Sequence, residues 1–211
     1  MTLQDCRLYG ILDLAYVATA DAARVAHEMI EGGVDILQLR AKHENVSDIT
    51  TIARSLQAIT SAAQVPFVIN DYAHVARDVG ADGVHVGQDD ISVAEVRKLL
   101  GPYGFVGKST HSLEQATAAQ TECADYIGFG PLFATPTKPD YPPIGLSQIG
   151  AAHAAVKLPI FCIGGIKLSN LAHVITAGAR RVVIVSGLLQ ARDVAEYARS
   201  AKMLLTRGAQ G

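Results

Sequence analysis

The chain has 211 residues, 49% of them hydrophobic, and a formal net charge of −2. That is enough apolar material for one packed domain. The near-neutral charge and the absence of Trp argue against a protein held to nucleic acid through phosphates or stacked bases. Cys6, Cys123 and Cys162 are odd in number, far apart and without metal-ligand spacing, which reads as structural thiols in a reducing compartment. Met1 to Gly10 holds no apolar core behind a basic flank, and no apolar run reaches the roughly 20 residues that span a bilayer. A soluble, cytoplasmic protein is expected.

Short runs rich in Val, Ile, Leu or Phe begin near Arg7, Asp35, Pro66, Gly83, Phe105, Asp125, Pro159 and Arg181. Their hydrophobicity is continuous rather than alternating, as in a parallel sheet buried on both faces. Amphipathic stretches stand between them. Asp21 to Glu31 carries Val25 and Met29, and Ser47 to Ala62 carries Ile49, Ile52, Leu56 and Ile59 at helical period. Ser47, Ser92, Ser112 and Ser169 precede helical patterns as N-caps do, and Gly80, Gly101 and Gly178 follow them as C-caps do. With no linker and no dinucleotide fingerprint after the first strand, the alternation predicts a single-domain (β/α)8 TIM barrel over residues 1–211, in preference to a doubly wound sheet.

Chemistry in such a barrel sits where strands end, and polar residues collect there. The second strand ends in Gln38 and Arg40, then Lys42; the third in Asn70 and Asp71; the fourth runs into Asp90; the fifth ends in Lys108, Ser109, Thr110 and His111. Turn formers and helix caps explain some of these; Asp71 alone fits an N-cap equally well. Two carboxylates beside Arg40, Lys42 and Lys138 suit a diphosphate bridged by Mg²⁺, although the same residues could pair with one another. Gly164-Gly165 after the seventh strand and Val185-Ser186-Gly187 after the eighth form a phosphate-site pattern, in which a side chain at Gly165 would occupy the anion's space. His85 reads as a satisfied core histidine. His27, His43, His153 and His173 read as surface residues, while His74 falls on a helical stretch and His111 is open to either reading. The longest connection, Pro131 to Gly145, is expected to act as a lid.

Taken together, QLRAK from Gln38, PFVINDYAHVARDVGADGVHVGQDD from Pro66, ADYIGFGPLFATPTKPD from Ala124, IGGI from Ile163 and VVIVSG ending at Gly187 resemble the thiamine-phosphate synthase family over about Leu8 to Leu189. The resemblance implies a transferase that joins 4-amino-5-hydroxymethyl-2-methylpyrimidine diphosphate to 4-methyl-5-(2-phosphooxyethyl)thiazole, with Mg²⁺ as cofactor. It implies that Arg40, Lys42 and Lys138 bind the diphosphate and that Asp71 and Asp90 bind Mg²⁺. Gln38, Asn70 and Ser109 would address the pyrimidine; Thr135, Thr137, Gly165, Val185 and Ser186 would hold the thiazole phosphate. Arg40, Lys42, Ser109 and Lys138 would be the catalytic set. Lys108 and Gly187 depart from the family's usual residues. Two other functions fit parts of the pattern: a related thiazole tautomerase using His111, and a non-catalytic sensor of phosphate ligands. The partners implied are small-molecule substrates, not nucleic acid or membrane, with a homo-oligomer left open.

Overall fold

The computed structural model describes residues 3–135 and 141–208. Eight strands pair in parallel in sequence order, and the last closes on the first. They are β1 (Leu8–Asp13), β2 (Ile36–Arg40), β3 (Phe67–Asn70), β4 (Gly83–Val86), β5 (Phe105–Thr110), β6 (Tyr126–Phe129), β7 (Ile160–Cys162) and β8 (Val182–Ile184). The starts expected from sequence lie at these positions or one residue before. Helices α1 (Ala22–Glu31), α2 (Val46–Ala62), α3 (Ala73–Val79), α4 (Val93–Leu100), α5 (Leu113–Thr121), α6 (Gln148–Ala155) and α7 (Leu168–Thr176) make the crossovers; α8 (Ser186–Leu189) and α9 (Val194–Arg207) follow β8. No helix among the described residues is long and apolar enough to cross a membrane.

The two-residue pleat splits the apolar side chains into two cores. Outward residues such as Leu8, Leu12, Leu37 and Leu39 pack against Met29, Leu56 and other helical side chains. Inward residues Tyr9, Ile36, Val68, Tyr126, Phe161 and Val183 fill the barrel. Phe161 meets Tyr9 and Tyr126 edge-on, with centroids 5.4 and 5.5 Å away. Such pairs contribute about 0.5–1.5 kcal/mol each beyond the area they bury. The thiols of Cys6 and Cys162 are inside; burial, with Asp35 beside Cys6, pushes Cys6 up to about 11, and burial pushes Cys162 up to about 12. Both are therefore unreactive packing groups, whereas Cys123 is exposed.

A repeated clamp closes the end of the barrel at which the strands begin. Asp35, Asp82 and Asp125 each precede an even-numbered strand and grip one residue of the strand before it. Their backbone N–H groups donate to the carbonyls of Leu8, Phe67 and Val106. Their carboxylates accept from the N–H groups of the same three residues, at 2.9, 2.8 and 2.7 Å. Asp35 also accepts from Arg7 N and from Lys202 of α9. At β8 the corresponding residue is Arg181, which instead donates to Gln4.

Two caps differ from expectation. Asn45, not Ser47, caps α2 by accepting from Asp48 N, so Ser47 falls inside the helix. Lys167 begins α7 and donates its N–H to Asn170 at 2.8 Å, which places Ser169 in the first turn. Ser92 closes a full capping box with Glu95, and Ser112 accepts from Gln115 N. Gly80 and Gly101 are C-caps, and Gly178 follows the C-cap of α7. His153 is half-buried rather than a plain surface residue, and burial together with Arg180 and Arg181 holds its pKa down.

Asp35→Ala strands two strand N–H groups and Lys202. It should cost about 2–3 kcal/mol and lower the melting temperature by roughly 5–10 °C, measured by calorimetry; a change under 2 °C on that scale would mean that water replaces the clamp.

Candidate active site

The C-terminal ends of the strands open on a cavity. Its wall contains Gln38, Arg40, Asn70, Ser109, Thr135, Gly165, Val185 and Ser186, eight of the residues singled out from sequence. Strand register explains the gathering. Gln38 lies beside Ile11 and Val68, Asn70 beside His85, and Ser109 beside Gly128, so the pleat turns all of them to one face. Thr137 and Lys138, and the centre of the expected lid, lie outside the described residues.

The cations stand on carboxylates. Arg40 donates from Nη1 to Asp13 Oδ2 at 2.6 Å, and Asp13, 1% exposed, also accepts from Ala15 N. Lys42 pairs with Asp71. Lys108 turns outward to Glu122 at 3.7 Å and takes no part. Asp71 does not cap α3, a place taken by Tyr72. Its φ of 64° is in the left-handed region that Asp tolerates, and its N–H is held by His85 O. This turn brings its carboxyl within hydrogen-bonding reach of Asp90, which itself accepts from Gly87 N at 2.6 Å. Burial holds the Asp71 carboxyl above the usual carboxylate range; Lys42 pulls it down and Asp90 pushes it up. Two crowded carboxylates, one partly buried, fit a divalent cation that completes its oxygen shell from phosphate and water. Among the described residues no group of three or more His, Cys, Asp or Glu comes together.

Beneath the cavity runs a chain of polar groups. Gln38 Nε2 donates to Tyr9 Oη at 2.6 Å, and Tyr9 Oη lies 2.9 Å from Tyr126 Oη. His85 reaches Tyr126 Oη with Nδ1 at 3.0 Å and Ser109 Oγ with Nε2 at 2.9 Å. His85 is thus the satisfied interior histidine expected, and it also forms part of the cavity wall. Gln88 donates to Ser109 O.

At the far side, Gly164 and Gly165 have φ of 97° and 66°, a conformation glycine alone adopts freely. Their N–H groups donate to no backbone acceptor among the described residues, which leaves them suited to an anion. The reason for Gly165 differs in part from the one expected. A Cβ there would stand 2.7 Å from Phe133 Cβ and 3.0 Å from Ala134 O, so it would first strike the loop after β6 rather than an anion. Asn170 donates to Gly165 O at 2.9 Å and steadies this turn. Gly187 is explained by Tyr197, whose hydroxyl would be 2.7 Å from an added Cβ and accepts from Leu168 N. The loop after β6 is tied down at its base: Leu132 N and Phe133 N donate to Ile163 O and Gly164 O, and Ile144 N donates to Pro131 O. Tyr141 stacks on His111, centroids 4.1 Å apart.

Sequence reasoning passed over Asp13, Tyr9 and Tyr126. Asp13 carried the same signal as Arg40, a charge ending an apolar strand. Nothing in sequence distinguished the tyrosines from core aromatics.

The family model for thiamine monophosphate synthase matches residues 8–188. A thiamine-phosphate synthase of Shouchella clausii is 43% identical over 89% of this chain and 90% of its own length. One of Halalkalibacterium halodurans is 40% identical over 91% and 92%. The solved structure of a thiamine phosphate pyrophosphorylase from Pyrococcus furiosus superposes with a TM-score of 0.90 at 28% identity, covering 98% of each chain.

Asp13→Asn keeps the shape of the Arg40 partner and removes its charge. Breaking a buried pair in this way should cost about 3 kcal/mol in urea denaturation. Unchanged stability would show that Arg40 does not depend on Asp13.

Proposed function

We infer how this barrel works from one premise: the chain belongs to the thiamine monophosphate synthase family and is a transferase that makes thiamine phosphate. The observation that carries the rest is a cavity whose wall holds both Arg40 and the Gly164-Gly165 turn, with the Lys42–Asp71 pair two residues beyond Arg40 on the β2 end. That suits one substrate with a diphosphate leaving group and a second with a monophosphate handle. The substrates proposed are 4-amino-5-hydroxymethyl-2-methylpyrimidine diphosphate and 4-methyl-5-(2-phosphooxyethyl)thiazole.

In this reading Arg40 and Lys42, with Lys138, hold the diphosphate oxygens through charge-assisted hydrogen bonds. Asp71 and Asp90 would hold Mg²⁺, which when bound supplies charge neutralisation to the leaving diphosphate. Loss of the diphosphate breaks the C–O bond and takes its electron pair. The pyrimidinylmethyl cation left behind is stabilised by its own 4-amino group. The thiazole nitrogen then donates its lone pair to form the C–N bond, giving thiamine phosphate and diphosphate. No protein nucleophile is needed; positioning and leaving-group electrostatics do the catalysis. Gln38, Asn70 and Ser109 orient the pyrimidine. Gly165, Val185 and Ser186, with Thr135 and Thr137, grip the thiazole phosphate, so that its ring nitrogen meets the methylene carbon. One barrel over residues 1–211 carries the whole reaction, and a cytoplasmic setting suits its unpaired cysteines.

Incubation of both substrates with Mg²⁺ should yield thiamine phosphate and diphosphate in equal amounts, read by chromatography; no product would overturn the substrate assignment. Asp90→Asn should leave the melting temperature within a few degrees and cut kcat by on the order of a hundredfold or more. Full activity of the unmodified protein in excess EDTA would remove the metal from the mechanism.

A further inference from the structure

The polar chain under the cavity has a direction. Gln38, Tyr9 and Tyr126 are only 2%, 1% and 0% exposed, so each tyrosine hydroxyl proton needs an acceptor within the chain. Gln38 Nε2 can only donate, which makes Tyr9 Oη an acceptor. The Tyr9 proton then has Tyr126 Oη as its acceptor, at 2.9 Å. Were Tyr126 to donate to Tyr9 instead, the Tyr9 proton would be buried with no acceptor. Tyr126 therefore passes its own proton to Nδ1 of His85. That fixes the histidine as the neutral tautomer with the hydrogen on Nε2, and Nε2–H donates to Ser109 Oγ. The hydroxyl proton of Ser109 is left to point elsewhere, and Ser109 lines the cavity. Burial pushes both tyrosine pKa values up, so the two hydroxyl protons that the count requires stay in place.

We propose that the chain Gln38, Tyr9, Tyr126, His85, Ser109 is a specificity device that presents an acceptor, Gln38 Oε1, on the β2 side of the cavity and a donor, the Ser109 hydroxyl, on the β5 side. Tyr9, Tyr126 and His85 act as positioning residues, because they set the donor and acceptor faces of their neighbours through hydrogen bonds. The ligand class follows from the pattern, and rests on the function proposed above. It is an azine with an exocyclic N–H donor toward Gln38 and an acceptor atom toward Ser109, as a 4-aminopyrimidine diphosphate offers. A 4-oxo analogue would set its carbonyl against Gln38 Oε1, acceptor against acceptor, and leave a buried amide oxygen unpaired.

The barrel makes room for the chain at specific positions. A Cβ on Gly107 would collide with the Tyr126 ring and hydroxyl and with Nδ1 of His85, and one on Gly128 would touch His85 Cε1 at 3.4 Å. The inward glycine on β5 thus holds space for this hydrogen-bonded group where ordinary barrel packing calls for a bulky side chain. Reversal of the chain requires Gln38 turned over, its Oε1 accepting from Tyr9, and the His85 hydrogen on Nδ1.

Two measurements test this. The first needs no ligand: long-range ¹H–¹⁵N correlation on the ¹⁵N-labelled full chain, with the His85 signals assigned by their loss in His85→Gln. The hydrogen is expected on Nε2; a neutral ring with its hydrogen on Nδ1 would reverse the chain and overturn the proposal. The second is competition calorimetry with Mg²⁺ between 4-amino-5-hydroxymethyl-2-methylpyrimidine diphosphate and its 4-oxo counterpart. The unmodified protein should prefer the amine by at least about a hundredfold. Tyr126→Phe should lower that preference by about tenfold while thiazole-phosphate affinity stays within twofold on the same scale. An equal preference in both proteins would overturn the proposal. If neither pyrimidine binds while His85 carries its hydrogen on Nε2, the substrate reading fails and takes the ligand assignment with it, although the polarity of the chain stands.

Discussion

Everything at the mouth of this barrel depends on the two-residue pleat of parallel strands closed into a ring. Once closed, a strand residue faces either the helices or the barrel axis, and hydrogen-bonded register decides which neighbours it meets. Gln38, Asn70, His85 and Ser109 come from four separate strands, yet the register sets each beside an inward position of the next. A one-residue slip of β5 would exchange Ser109 for Lys108 inside the ring, and would move a cation now paired with Glu122 into the site. The aspartate clamps at the opposite end oppose such slips. Asp35, Asp82 and Asp125 each fasten one identified residue through both its N–H and its carbonyl.

Charge in the mouth is arranged in tension rather than in neutral pairs. Arg40 has a private partner in the nearly inaccessible Asp13. Lys42 and Asp90 both address Asp71, and they pull its ionisation in opposite directions. An assembly of that kind favours a ligand that brings both signs at once. In the proposed reaction a diphosphate would satisfy the cations, and the cation that accompanies it would satisfy the carboxylates. Lys42 is more than a third exposed, so its pair with Asp71 is easily exchanged, whereas Arg40 is held in position by its buried carboxylate.

The alternation of apolar runs and amphipathic stretches made the fold legible residue by residue, because continuous Val, Ile and Leu runs at Ile36, Phe67 and Val182 have few other uses in a chain of this length. The site was legible where a polar residue interrupted such a run, as Gln38, Arg40 and Asn70 do. Asp13 met the same test and was passed over. Tyr9 and Tyr126 could not be read in this way, since an aromatic residue in an apolar strand looks the same whether its hydroxyl is idle or bonded. Their role lies in distances between β1 and β6, residues 117 apart in sequence. The clamps left a trace in the residue pairs Val34-Asp35, Ala81-Asp82 and Ala124-Asp125, but a lone aspartate before a strand reads as a turn former. Asn45 outcompeted Ser47 as a cap because its side chain reached Asp48 N from the last extended residue, a choice that propensity alone does not make.

Glycines connect the fold to the chemistry, and they do so in two physically distinct ways. At Gly164 and Gly165 the backbone itself is left-handed, so the exposed N–H groups exist only because no Cβ opposes that turn. At Gly107 and Gly187 the φ angle is unexceptional, and what matters is the missing side chain: its volume is taken by the Tyr126–His85 pair in the first case and by the Tyr197 hydroxyl in the second. Substitution at the first kind of position would alter where backbone N–H groups point. At the second kind it would displace an aromatic hydroxyl or an imidazole that orders its neighbours. Both end at the same cavity, so a glycine there is a structural residue whose consequence is read in ligand binding.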